Sequence, residues 1–165
     1  MTVIIQNDQL IAEIAEHGAE LISLKSKEHG LEYIWQGDPA YWGRHAPVLF
    51  PFVGRLKDDQ YVYQGKTYQM GQHGFARDMD FEVIEHGQEM ASFILRSTPE
   101  TLEKYPFDFE LVISYELGGD ASRFIIKWQI PVKKKCSFLS VDILLSMYLL
   151  KKDCHLKISI WHFLH

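Results

Sequence analysis

The sequence predicts an all-β protein, an antiparallel sandwich or barrel, over residues 1–122. Short alternating apolar and polar segments recur, and turn-forming residues separate them. No long stretch carries a 3.6-residue apolar period. Aromatic residues reach 13%, with ten Phe, eight Tyr and four Trp, which suits half-buried strands and, less specifically, a surface that stacks on sugars. A chain of 165 residues is long enough for one domain with a real core.

Taken in order, Val3-Ile4-Ile5 and Leu10 to Ile14 form a first strand pair with Asn7-Asp8 at the turn. His17-Gly18-Ala19 breaks the run, and a third strand follows from Glu20 to Lys25. Glu32 to Trp35 alternates briefly before the Gln36-Gly37-Asp38-Pro39 turn. Pro47 and Pro51 bracket an apolar run that can be no regular central strand, so it bends or lies at an edge. Tyr61-Val62-Tyr63 and Thr67-Tyr68-Gln69 flank Gly65 as a hairpin. Phe81 to Ile84 and Ala91 to Leu95 make another strand pair, and Thr98-Pro99-Glu100 opens a short helical turn. In Phe107 to Leu117, six apolar residues at every second position form one face, the clearest strand of the chain. In the tail, Phe124 to Ile130 is strand-like.

Charge excludes several classes of function. The net charge is −5, which argues against nucleic acid or an anionic membrane as partner. The longest apolar run, Phe138 to Leu150, is too short to span a bilayer and contains Asp142. The start, Met1-Thr2-Val3, leads into polar sequence with no signal-peptide pattern. Cys136 and Cys154 form no CxxC, so a reducing, cytoplasmic setting is expected. No metal or cofactor is expected, because His155, His162 and His165 lack carboxylate or thiol partners at metal spacing. His17, His29 and His86 lie in polar turns, as surface residues do.

Residues able to do chemistry gather between His45 and Met79. His73 lies between Gly71 and Gly74, in a loop, and titrates near neutrality. It is either a proton-transfer or ligand-holding group or a structural histidine bonded to backbone. Arg55 follows Gly54 and can aim two donors at a ligand oxygen, or else pair with Asp58 or Asp59. Arg77 has the same two readings, with Asp78 and Asp80 beside it. Phe75 offers either a ring to a sugar or a core side chain. There is no GxSxG, phosphate loop or HExxH.

Three pieces in this order, HGAELISLKSKEHGLEYIWQGDPAYWGRHAPVLFPFVGRL, YVYQGKTYQMGQHGFARDMDFEV and TPETLEKYPFDFELVISYEL, resemble the aldose 1-epimerase (galactose mutarotase-like) family. The resemblance covers residues 1 to about 120 and implies a large antiparallel β-supersandwich, here incomplete. It implies an isomerase that interconverts the α and β anomers of a hexose or related aldose. A His acts there as acid and a Glu as base, while a second His and an Arg hold the sugar. By motif position His73 matches the sugar-holding His and Arg55 the Arg, with Phe75 and Arg77 beside them. The acid belongs to a GGHPAFN-like motif that this chain lacks, and no Glu follows Glu116.

The tail departs from the rest. Residues 1–122 carry a net charge of −11 and residues 123–165 a net of +6, and no glycine follows Gly119. Such a shift marks a second domain, a basic tail, or a change of reading frame. Read one base out of frame, Ser140 to Tyr148 can be recoded as GGHPAFNV, with Met147-Tyr148 forcing Val. Trp128-Gln129 forces Ala within a possible V-A-N-T-G, and Lys133 to Phe138 allow E-E-M-L-F. Two bases of every shifted codon are fixed by the residue given, so chance agreement is hard to reach. Residues 1–122 are therefore expected to form the N-terminal part of the sandwich. Residues 123–165 are expected to be an out-of-frame tail ending at an early stop. The chain is then an epimerase relative without its acid and base, with a small sugar as its expected partner. The alternatives are a non-catalytic carbohydrate-binding module and an incomplete sandwich whose open strand edges aggregate.

Overall fold

A computed structural model describes residues 1–118 and the backbone of two further strands, 123–129 and 157–163. The expected strands form. β1 (Thr2–Gln6), β2 (Leu10–Ala15) and β3 (Leu21–Ser26) make an antiparallel three-stranded sheet. β4 (Gln60–Tyr63) and β5 (Lys66–Gln69) form the hairpin about Gly65. β6 (Glu82–His86), β7 (Met90–Arg96), β8 (Glu110–Leu117), β9 (Arg123–Gln129) and β10 (Lys157–Phe163) build a second sheet in the order β10-β9-β8-β7-β6. Its pairings are antiparallel except β9 with β10, which is parallel. Glu32 to Trp35 does not become a strand and contributes a single bridge, Lys25 to Glu32.

Local chemistry explains the joints. The Asn7 side chain accepts the Gln9 and Leu10 amides at 3.0 and 2.8 Å and closes the β1–β2 turn. The one α-helix among the described residues, α1 (Pro99–Lys104), has Pro at its first turn, where a missing N–H costs nothing. Thr98 and Thr101 cap it reciprocally: Thr98 N donates to Thr101 Oγ1 at 2.8 Å, and Thr101 N to Thr98 Oγ1 at 3.3 Å.

The core lies between the two sheets. β8 alternates buried and half-buried residues, with Leu111, Ile113, Tyr115 and Leu117 turned inward. They meet Val3, Ile5, Ile14, Leu21 and Leu24 of the first sheet. The Tyr115 hydroxyl ties the sheets by donating to the Ala19 carbonyl at 2.7 Å. Burial, reinforced by the Glu20 charge, holds that phenol neutral and its pKa well above the usual tyrosine range. At one end of the core, Phe50 is fully buried against Phe109, Phe75 and Tyr105, with centroids 4.9, 5.9 and 5.8 Å away.

Candidate functional site

The Pro-bracketed run, Pro47 to Phe52, bends as its prolines require and belongs to no sheet. It is fixed at two ends. Upstream, the buried Glu20 carboxylate accepts the His45 and Ala46 amides at 2.6 and 3.0 Å. Downstream, the Phe50 carbonyl accepts the Phe75 and Ala76 amides at 2.9 and 3.2 Å, beside a parallel bridge to Gly74. These bonds hold Pro47–Arg55 alongside Gly71–Asp78, two segments the sequence separates by a hairpin.

Gly54 and His73 join the two segments directly. His73 N donates to the Gly54 carbonyl at 2.7 Å, and Gly54 N donates to His73 Nδ1 at 3.0 Å. His73 adopts φ 68°, a left-handed conformation unusual for a residue with a Cβ. That conformation lets backbone and ring engage the same glycine. The ring is half-buried, with Nε2 3.2 Å from the Gln72 side-chain amide. Burial, then the Arg77 charge, holds the His73 pKa below its ordinary value of 6.5.

That depression has a sign. The folded chain keeps the imidazole neutral where the unfolded chain would bind a proton. His73 therefore contributes stability above pH 6.5, and this is lost as pH falls from there through the folded-state pKa. Urea unfolding at a series of pH values should show a steeper loss below pH 6.5 in the native chain than in His73→Gln. Parallel curves would show that the ring titrates alike in both states.

Arg55, next to Gly54, forms a two-pronged pair with Asp59: Nε to Oδ1 at 2.8 Å and Nη2 to Oδ2 at 2.6 Å. The hydrogen bond and the opposite charge raise the arginine's pKa and lower the carboxylate's. Both groups lie in solvent, where such pairs are weak, so the guanidinium can exchange partners readily. The structure thus shows the ion pair named as one of its two sequence readings. Arg77 donates from Nη2 to the Gln72 carbonyl at 3.0 Å. Its Nε is buried without a hydrogen bond, although Asp78 Oδ2 is 3.5 Å away as a charge partner. Arg44, which sequence reasoning passed over, donates to the Arg77 carbonyl at 3.2 Å and pairs with Asp78. Phe75 is a core side chain, 8% exposed, packed on Phe50 and Phe109.

A cleft of about 350 Å³ opens beside this loop, lined by Met70, Gly71, Gly74, Phe75, Asp78 and Lys104 among others. Of the four predicted site residues only Phe75 lines it. Arg55, His73 and Arg77 lie outside its lining: His73 bonds to Gly54, the residue before Arg55, and Arg77 to the Gln72 carbonyl. Among the described residues no group of His, Cys, Asp and Glu is set to hold a metal ion. No helix there is long and apolar enough to cross a membrane. Cys136, Cys154, His155 and His165 lie outside the described residues, as does the side chain of His162.

The antiparallel β-sandwich is shared with solved galactose mutarotase-like structures. A family model described as Aldose 1-epimerase matches residues 1–139, and the chain belongs to that family. The match runs past residue 122 and across β9. The plasmid-encoded protein LacX of Lactococcus lactis subsp. lactis is 36% identical over 128 residues, 74% of this chain and 42% of LacX. A galactose mutarotase related enzyme from Lactobacillus acidophilus superposes with a TM-score of 0.71 at 52% identity, covering 72% of this chain and 39% of that one. A galactose mutarotase-like protein from Lactobacillus casei gives 0.70 at 45% identity, covering 72% and 40%. The chain spans about two fifths of the length of these relatives.

Proposed function

We propose that residues 1–122 form the sugar-holding wall of an aldose 1-epimerase-type site, specific for a hexose or related aldose. The observation that carries this reading is the pair of hydrogen bonds between Gly54 and His73. It brings the backbone next to Arg55 onto His73, which supports reading the two as groups that hold one sugar. Arg55 supplies a planar pair of donors once it leaves Asp59, and His73 supplies Nε2. Anomer exchange needs an acid for the ring oxygen and a base for the anomeric hydroxyl. Neither a GGHPAFN motif nor a Glu beyond Glu116 is in this chain. Residues 1–122 then hold the aldose, and the acid and base of anomer exchange are not among them.

The tail belongs to the same proposal. Residues 123–165 are read in a shifted frame, and the family's acid motif lies in the other frame across Ser140 to Tyr148. The nucleotide sequence across codons 118–150 decides this; codons unable to spell GGHPAFN in the shifted frame would refute it.

Polarimetry on freshly dissolved α-glucose and α-galactose tests the activity. The expected result is a rate close to the uncatalysed one, together with saturable binding of one of these sugars. Conversion at the rate of a full-length relative would falsify the loss of the acid and base. Absence of any saturable sugar binding would remove the proposed wall.

A further inference from the structure

We propose that the Gly54 amide locks His73 as the neutral Nε2–H tautomer, so that His73 serves the site as a hydrogen-bond donor. In the resting chain the Gln72 side-chain oxygen occupies the place of the ligand oxygen.

Two contacts decide the tautomer. Gly54 N–H points at His73 Nδ1 from 3.0 Å. A backbone amide has one hydrogen and cannot reverse its direction, so Nδ1 must accept and carries no proton. A neutral imidazole then holds its hydrogen on Nε2. Nε2 faces the Gln72 side-chain amide at 3.2 Å. An N–H opposite an NH₂ would set two donors against each other. The amide can turn about its last torsion, whereas the backbone cannot, so Gln72 presents Oε1 to Nε2–H. The second backbone bond, His73 N to the Gly54 carbonyl at 2.7 Å, stops the loop from sliding off this register.

The charged surroundings keep the ring neutral. Arg77, on the 3₁₀ turn Ala76–Asp78, sets a positive charge against the imidazole. On the Gly54 side, Arg55 faces Asp59 and its charge is matched there. Protonating Nδ1 would place a donor against Gly54 N–H and break the clamp.

The consequence deepens the proposed function and rests on it only for the identity of the ligand. A neutral Nε2–H offers a proton to share and no lone pair to take one, so His73 holds a sugar oxygen and is not the base. The oxygen is an acceptor, a ring oxygen or a hydroxyl lone pair, and it replaces Gln72 Oε1.

The test needs no sugar. Nitrogen-15 spectra of the full chain labelled at histidine and glycine, near pH 7.5, should show His73 hydrogen on Nε2. They should also show a through-hydrogen-bond coupling between Gly54 N and His73 Nδ1. On acidification that coupling should vanish together with protonation of His73. In Gln72→Ala the coupling should persist, while exchange of Nε2–H with water speeds several-fold. An Nδ1–H tautomer, or rapid averaging of the two tautomers, overturns the lock. Unchanged Nε2–H exchange in Gln72→Ala overturns the role given to Gln72. Galactose is added last: a shift of the His73 Nε2 signal supports the sugar reading. Its absence counts against that reading alone, since the tautomer is already decided.

Discussion

Gly74→Ala should destabilise the chain by on the order of 4 kcal/mol, among the largest effects a single substitution produces. Two costs combine. Gly74 sits at φ +75°, in the left-handed region, where a Cβ costs about 1–2 kcal/mol. The added Cβ would also lie 2.0 Å from the Phe50 carbonyl oxygen and 2.4 Å from its carbon. Both atoms are backbone and fully buried, so the neighbour cannot step aside. Relief requires parting the two segments, which breaks the Phe75 and Ala76 bonds to that carbonyl. Gly65→Ala is the matched control. Its φ is +78°, yet nothing lies within 4 Å of the new Cβ, so only the backbone cost, about 1 kcal/mol, should appear. Urea midpoints compare the two, and equal losses would show that the close approach to Phe50 carries no weight.

The second large effect is expected at Glu20. Glu20→Leu removes the acceptor for the His45 and Ala46 amides while keeping an apolar group of similar reach. Two half-buried N–H groups left without partners cost about 1–2 kcal/mol each, so a total loss of about 2–4 kcal/mol is expected. His45 Nδ1, 3.7 Å from the same carboxylate oxygen, loses a neighbour as well. Glu20→Gln keeps an oxygen in place and should recover most of the stability. A glutamine as damaging as leucine would mean that the negative charge matters more than the two hydrogen bonds. A loss under about 0.5 kcal/mol for leucine would mean that the Pro47 segment is held from its Phe50 end alone.

Much of the fold was legible because each strand follows a local rule. β8 shows this best: six apolar residues at alternate positions predict an inward face, and the structure buries Leu111, Ile113, Tyr115 and Leu117 on it. The Asn7 turn, the Gly65 hairpin and the Pro99 helix start were readable for the same reason, since each depends on neighbours in sequence. The site was legible as residue types and hidden as geometry. His73 and Arg55 could be named from their motif positions. Their connection runs through the Gly54 amide, and a backbone group leaves no mark in the sequence. Glu20 was missed because its partners lie 25 and 26 residues away and are also backbone. The signal present was a lone acid immediately before a strand whose next residue is fully buried, Leu21. Phe75 shows the reverse case. Of its two sequence readings, ligand ring or core side chain, the choice is made by Phe50, on the proline-bent segment, and Phe109, just ahead of β8.

The bonds between Gly54 and His73 span only nineteen residues, and the Phe50–Gly74 bridge spans little more. Closing so short a loop costs little chain entropy, and each doubling of its length would add only about 0.6 kcal/mol. Contacts of this kind form early, because few residues must be gathered before the bonds repay the ordering. The hairpin β4–β5 lies inside the loop and shortens the effective search further. The aromatic backing, Tyr105 and Phe109, follows within about forty residues. The loop that joins Gly54 to His73 thus finds its named partners within residues 1–117.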